Sequence, residues 1–141
     1  MRRSKAEIYL HVVWATRRRE PVLDPGMWEA VREAIEQEAC SLGCQVIALD
    51  GTEDHAHLLV RIPGRVSAAQ LAKQMKGNAS HALNRLIPIG DEFRWQEGYG
   101  AFSVSRSHVA RVRAYIESQR ERHARGDLWP EWEEVDEEAG P

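Results

Sequence analysis

The stretch QVIALDGTEDHAHLLVRI, residues 45–62, decides how the 141-residue chain reads. Residues 45–50 and 55–62 are apolar-rich runs of strand length. Gly51, Thr52, Glu53 and Asp54 between them are turn formers, so the segment predicts a hairpin in mid-chain. Upstream, Trp28, Val31, Ile35 and Ala39 recur at helical spacing over residues 25–42, and Gly43 stops that helix. Downstream, Pro63 and Gly64 end the strand, and Ser67 stands where a cap is needed for a second helix over 68–86. Pro88 and Gly90 close that helix. A first strand over 8–16 sets Tyr9, His11, Val13 and Ala15 on one side and Leu10, Val12, Trp14 and Thr16 on the other. It runs into a basic turn, Arg17, Arg18 and Arg19. Strand-like pieces follow at 93–95 and 101–104, and Ser107 opens a third helix reaching to about His123.

Strand, helix, strand, strand, helix, strand is the βαββαβ order of a ferredoxin-like antiparallel sheet with two helices on one face. The third helix is additional and carries Tyr115. A class of α+β is expected, because helices and strands do not simply alternate.

The bulk numbers agree with one ordinary domain. Hydrophobic residues make up 43% and charged residues 29%, as in soluble globular proteins. No apolar run approaches the roughly 20 residues that span a bilayer, and a cytoplasmic protein without membrane contact is expected. Cys40 and Cys44 lack CxxC spacing and read as buried structural thiols at a helix end. The net charge of -3 is uneven. Seven acids and no Lys or Arg fall in residues 127–141, so the body keeps 19 basic against 15 acidic residues, a net +4. Residues 1–126 thus form the working domain and 127–141 a solvated acidic tail.

Four constellations could carry chemistry. In Asp54-His55-Ala56-His57, strand geometry projects His55 and His57 from one face, close enough to share a divalent metal, while Ala56, Leu58 and Val60 face the other way. On the third helix, Val109, Val112 and Ile116 form an apolar stripe, and Tyr115 and Gln119 stand one turn apart. A phenol and an amide oxygen so placed can approach one metal-bound phosphate; a plain core tyrosine is the alternative. Residues 94–105, RWQEGYGAFSVS, combine glycines, which let a backbone approach a ligand, with aromatic stacking faces; a structural strand with a bulge is the other reading. The second helix has Gln70, Lys73, Gln74, Lys76, Ser80, His81 and Arg85 on a polar side, opposite Leu71, Met75, Ala79, Ala82 and Leu86. That polar side reads as a solvated face or one turned to nucleic acid.

Taken in order, the strand-borne HxH after an acid, the Lys-Gly helix, the WQxGYGAFSVS strand and the helix with YIxxQ resemble the single-tyrosine HUH transposases. That family includes the IS200-like enzymes and the REP-associated tyrosine transposases. The resemblance covers about residues 6–125. It implies a metal-dependent single-stranded DNA endonuclease and transposase that cuts and rejoins DNA through a 5′-phosphotyrosine. Tyr115 would be the nucleophile, and His55, His57 and Gln119 would hold Mg²⁺ or Mn²⁺. It also implies hairpin-forming single-stranded DNA as partner and a homodimer in which the tyrosine helix can serve the partner's histidines. Lys73, Lys76, Arg106, Arg111 and Arg113 are the candidate phosphate contacts. The middle HUH residue is usually bulky and apolar; here it is Ala56, expected to face the core. Two other functions fit the same residues: a ferredoxin-like nucleic-acid-binding module without catalysis, and a metal-dependent phosphoester hydrolase using water.

Overall fold

The computed structural model describes residues 4–119. The pattern of alternating apolar residues yields four strands, β1 (Ile8–Ala15), β2 (Gln45–Gly51), β3 (His55–Ile62) and β4 (Gly100–Val104), with helices α1 (Pro25–Leu42), α2 (Ala68–Asn84) and α3 (Val109–Glu117). The strands lie in the order β2-β3-β1-β4, every neighbouring pair antiparallel. This is the expected ferredoxin-like α+β arrangement with the tyrosine-bearing helix added. The third helix, expected to reach about His123, closes as α3 at Glu117, with Ser118 as its C-cap; residues 120–123 and the acidic tail lie outside the described residues.

The helix ends follow local chemistry. Asp24 caps α1 by accepting from the Met27 amide at 2.8 Å, and Gly43 closes it in the left-handed region at φ 73°, a conformation that glycine adopts without Cβ strain. Ser67 caps α2, accepting from the Gln70 amide at 3.0 Å. From α1, Trp28, Val31, Ile35 and Ala39, and from α2, Leu71, Met75, Ala79 and Leu83, bury against one face of the sheet, where they meet Leu10, Val12 and Trp14 of β1 and Ala56, Leu58 and Val60 of β3. On the other face a smaller cluster joins Ala48 and Leu59 to Val112, Tyr115 and Ile116 of α3. The sheet therefore lies between two helical layers.

Several expectations need correcting. The second helix stops at Asn84 rather than at residue 86. Its apolar stripe ends on fully buried Leu83, while Leu86 is 58% exposed. Residues 93–95 add no strand, only a bridge between Thr16 and Trp95. The Phe93 backbone is taken by Asn84 instead: its side chain accepts from the Phe93 amide at 2.7 Å and donates to the Phe93 carbonyl at 3.1 Å. Cys40 is exposed, because the α1 stripe turns Ala39 inward and its neighbour outward; Cys44 is half-buried, and burial pushes its thiol up. The third helix opens as a 3-10 turn, Arg106–His108, and becomes α-helical at Val109.

Ala56 faces the core as expected, and its neighbours explain its size. It stands in register between Trp14 on β1 and Gly51 on β2. A Cβ on Gly51 would lie 2.1 Å from the His55 carbonyl oxygen and 2.7 Å from the Trp28 ring. Two indoles fill the volume that a larger residue at 56 would need. Gly51→Ala is accordingly expected to destabilise the fold by about 2 kcal/mol, the cost of overpacking, read as a lower urea midpoint with an unchanged slope.

Lys76 ties α2 to the segment before β4. Its ammonium donates to the carbonyls of Gln96 at 2.9 Å and Gly98 at 3.0 Å, and the Trp95 indole donates back to the Lys76 carbonyl at 2.9 Å. Lys76→Met keeps the apolar stem and deletes both donations. Its unfolding free energy should fall by about 1.5–3 kcal/mol, with faster amide exchange in residues 96–100.

Candidate active site

The site begins with β3. His55 and His57 project from the face of the sheet away from α1 and α2, with ring centroids 5.0 Å apart, as the i and i+2 spacing requires. Both rings are buried, at 1% and 0% exposure. Each has a partner that fixes it. Nδ1 of His55 is 2.7 Å from the Asp54 carboxylate and 2.9 Å from the Thr52 hydroxyl, which also donates to Asp54 at 3.0 Å. The hydrogen bond with His55 holds the Asp54 carboxyl below the usual carboxylate range; the Thr52 bond and the charges of His55 and Arg19 add to this, against desolvation. An ionised Asp54 accepts from Nδ1–H, so in the neutral ring the His55 lone pair stands on Nε2. That carboxylate–histidine pairing orients an imidazole and raises its basicity as a ligand.

His57 is fixed by a residue that the sequence reading did not single out. His11 of β1 places Nε2 2.8 Å from His57 Nδ1, the two rings stacked at 5.1 Å and 27°. If His57 donates from Nδ1, its lone pair also stands on Nε2, matching His55. The signal available was the alternation of β1, which puts His11 on the Tyr9–Val13 side; nothing local says that this side meets His57.

Tyr115 arrives from α3, which packs across β2 and β3. Its ring stands edge-on to His57 at 5.9 Å and 75° and is wholly buried. Gln119, one turn further, is buried as well. The structure thus gathers His55, His57 and Tyr115 on one face, while Gln119 follows α3 two residues after its end at Glu117. Beside His11, a cleft of about 350 Å³ opens toward β4, lined by Phe102, Ser103, Ser105, His108 and Val112.

Among the described residues, no three His, Cys, Asp or Glu side chains gather as a metal-holding group. A cation here would rest on the two imidazoles and an oxygen of another kind, for which the Gln119 amide is the candidate. Two imidazole nitrogens and one neutral oxygen suit a divalent ion that leaves coordination positions for phosphate.

The five candidate phosphate contacts do not converge. Lys73 and Lys76 lie on α2, on the opposite side of the sheet from the histidines; Lys73 is exposed, while Lys76 is half-buried and burial lowers its pKa. Both line a groove of about 760 Å³ with Gln70, Gln74 and Tyr99. Arg106, Arg111 and Arg113 lie with α3 and are exposed. Arg106 stands 3.4 Å from Glu7, and Arg113 pairs with Glu117 at 2.8 Å.

Known proteins share this architecture. The chain is 24% identical over 130 residues to the ISDra2 transposase TnpA of Deinococcus radiodurans, covering 86% of this chain and 93% of that protein. A crystal structure of a transposase from Deinococcus radiodurans R1 superposes with a TM-score of 0.65 at 23% identity, over 84% of this chain and 98% of that one. A REP-associated tyrosine transposase, solved bound to a REP hairpin, superposes with a TM-score of 0.66 at 17% identity, over 92% and 79%. The model of the family described as "Transposase IS200 like" matches residues 4–119, the whole of the fold and site described above, and the chain belongs to that family.

Proposed function

We propose that this protein cleaves and rejoins single-stranded DNA, with Tyr115 as the nucleophile and residues 1–126 as the catalytic domain. The observation that carries this reading is the Tyr115 ring set edge-on against His57, on the strand that also presents His55. A water-using phosphoester hydrolase needs no buried phenol beside its ligands, and a binding module needs neither.

In the proposed step the Tyr115 oxygen attacks a backbone phosphorus. The P–O3′ bond breaks, and the phenol proton ends on the departing 3′-hydroxyl. A tyrosyl 5′-phosphodiester results, which a later 3′-hydroxyl can attack to rejoin DNA and restore the phenol. Mg²⁺ or Mn²⁺ held by His55, His57 and Gln119 supplies Lewis-acid stabilisation of the phosphate charge when bound. Asp54 and Thr52 orient His55, and His11 orients His57. A free phenol has a pKa near 10, so the tyrosine depends on its setting for activation. The ring is wholly buried, so its phenol oxygen must be uncovered before it attacks DNA. A homodimer, in which that helix serves the partner's histidines, is the assembly that the family resemblance supports. Hairpin-forming single strands are the substrate we propose, supported by the REP hairpin held by the structurally similar transposase.

Incubation with labelled hairpin-bearing single strands and Mn²⁺, followed by denaturing electrophoresis, is expected to reveal a covalent adduct. Tyr115→Phe keeps the buried ring and should form none. Release of product without adduct would favour the hydrolase, and retention without cutting the binding module. Metal binding has its own readout: at 100 times Kd, Mn²⁺ should stabilise the protein by about 2.7 kcal/mol, seen as a rise in Tm. His57→Ala should abolish that rise.

A further inference from the structure

β4 ends at Val104, and the chain turns through Arg106–His108 into α3. A serine before a helical turn usually caps it by accepting from a backbone amide. Ser105 stands at the N-cap of the 3-10 turn and His108 at that of α3, yet neither side chain caps. They bond to each other instead: the Ser105 hydroxyl lies 2.7 Å from His108 Nδ1, with the Ser107 hydroxyl at 3.2 Å. All three side chains are exposed. Neither capping nor burial therefore accounts for an imidazole held by two hydroxyls, and its Nε2 edge stays available to a ligand.

His108 lines the cleft of about 350 Å³ beside the candidate active site, and Phe102 lines it too. Phe102 is the register partner of His11, which sets its ring on the histidine face. The ring is half-buried, its centroid 6.1 Å from that of His11. His11 in turn bonds His57, and Val112, also in the lining, precedes Tyr115 by one helical turn. The cleft opens on the β1–β4 side, while α3 packs across β2 and β3. Among the described residues no carboxylate lines it, whereas the wider groove on the other face of the sheet carries Glu97. Nothing in the lining repels a polyanion, and a ring face beside a hydrogen-bonding edge is what an unstacked nucleobase requires.

We propose that this cleft is a base-binding subsite for the single strand. Phe102 stacks on one nucleobase beside the phosphate that Tyr115 attacks, and His108, held by Ser105, hydrogen-bonds the edge of that base. Seating the base fixes its sugar, and with it the position of the adjoining phosphate relative to His57 and Tyr115. This rests on the function proposed above and extends it from the bond that is cut to the base next to it.

The test measures binding of the full chain to a fluorescent DNA hairpin carrying a single-stranded tail of all four bases, and to the same hairpin with an abasic tail of equal length. The abasic tail keeps every phosphate and lacks every base. The unaltered protein should prefer the base-bearing tail at least tenfold, since stacking one base on an aromatic ring contributes about 5- to 150-fold. Phe102→Leu keeps an apolar side chain and should remove most of that preference; Phe102→Tyr should retain it. His108→Ala, at an exposed position, should reduce the preference severalfold with Tm unchanged, and it carries the test if Phe102→Leu does not fold. The slope of log K against log salt should be the same in every variant, because no phosphate contact is lost. Equal binding of the two tails by the unaltered protein, or a loss that falls equally on both tails in the variants, overturns the subsite. If the tyrosyl adduct forms while neither variant changes the preference, only the subsite fails; if the preference and its loss are seen but no adduct ever forms, the subsite stands and the catalytic reading fails.

Discussion

The antiparallel pairing of β1 with β3 is the constraint on which the rest depends. It sets Val13 opposite His57 and Ala15 opposite His55, and with them the identity of each face. Side chains alternate with a period of two, so a slip of one residue would turn both imidazoles into the apolar core and expose Leu58 and Val60. Small residues mark that register: Ala56 lies opposite Trp14 on one side and Gly51 on the other, and the Trp28 ring stands where a Cβ on Gly51 would be. The same pairing brings His11 to His57 across 46 residues of chain.

A division of labour between the two faces follows. One face is wholly apolar and buries against α1 and α2, supplying most of the area removed from water. The other holds a small apolar cluster and a row of buried imidazoles, each supplied with a hydrogen-bond partner, as buried polar groups must be. The strong layer can carry the cost of desolvating the polar one. α3 covers that polar face with only a short apolar stripe, Val112 and Ile116 beside Tyr115, so it is the layer most readily displaced.

Family membership and physical reading meet at particular residues. The match over residues 4–119 spans the strand with His55 and His57 and the helix with Tyr115, the elements that the structure brings together. Ala56 departs from the usual bulky middle residue, and the packing absorbs the change through Trp14 and Trp28. Lys76 shows the opposite case. A lysine on a polar helix side reads as a phosphate contact, yet its ammonium is committed to two backbone carbonyls.

Whatever short-range physics controls was legible in the order of residues. Helix periodicity, the Ser67 cap, the Gly43 stop, strand alternation and turn residues named the elements and their order. They put His55 with His57 on one face, and Tyr115 one turn from Gln119. Which faces meet was settled by long-range packing: His11 beside His57, Arg19 near Asp54, Asn84 in place of a strand partner for Phe93, Cys40 turned outward, and α3 opposite α1 and α2. Those outcomes depend on contacts between residues far apart in the chain, where burial and register choose among arrangements that local patterns leave equal.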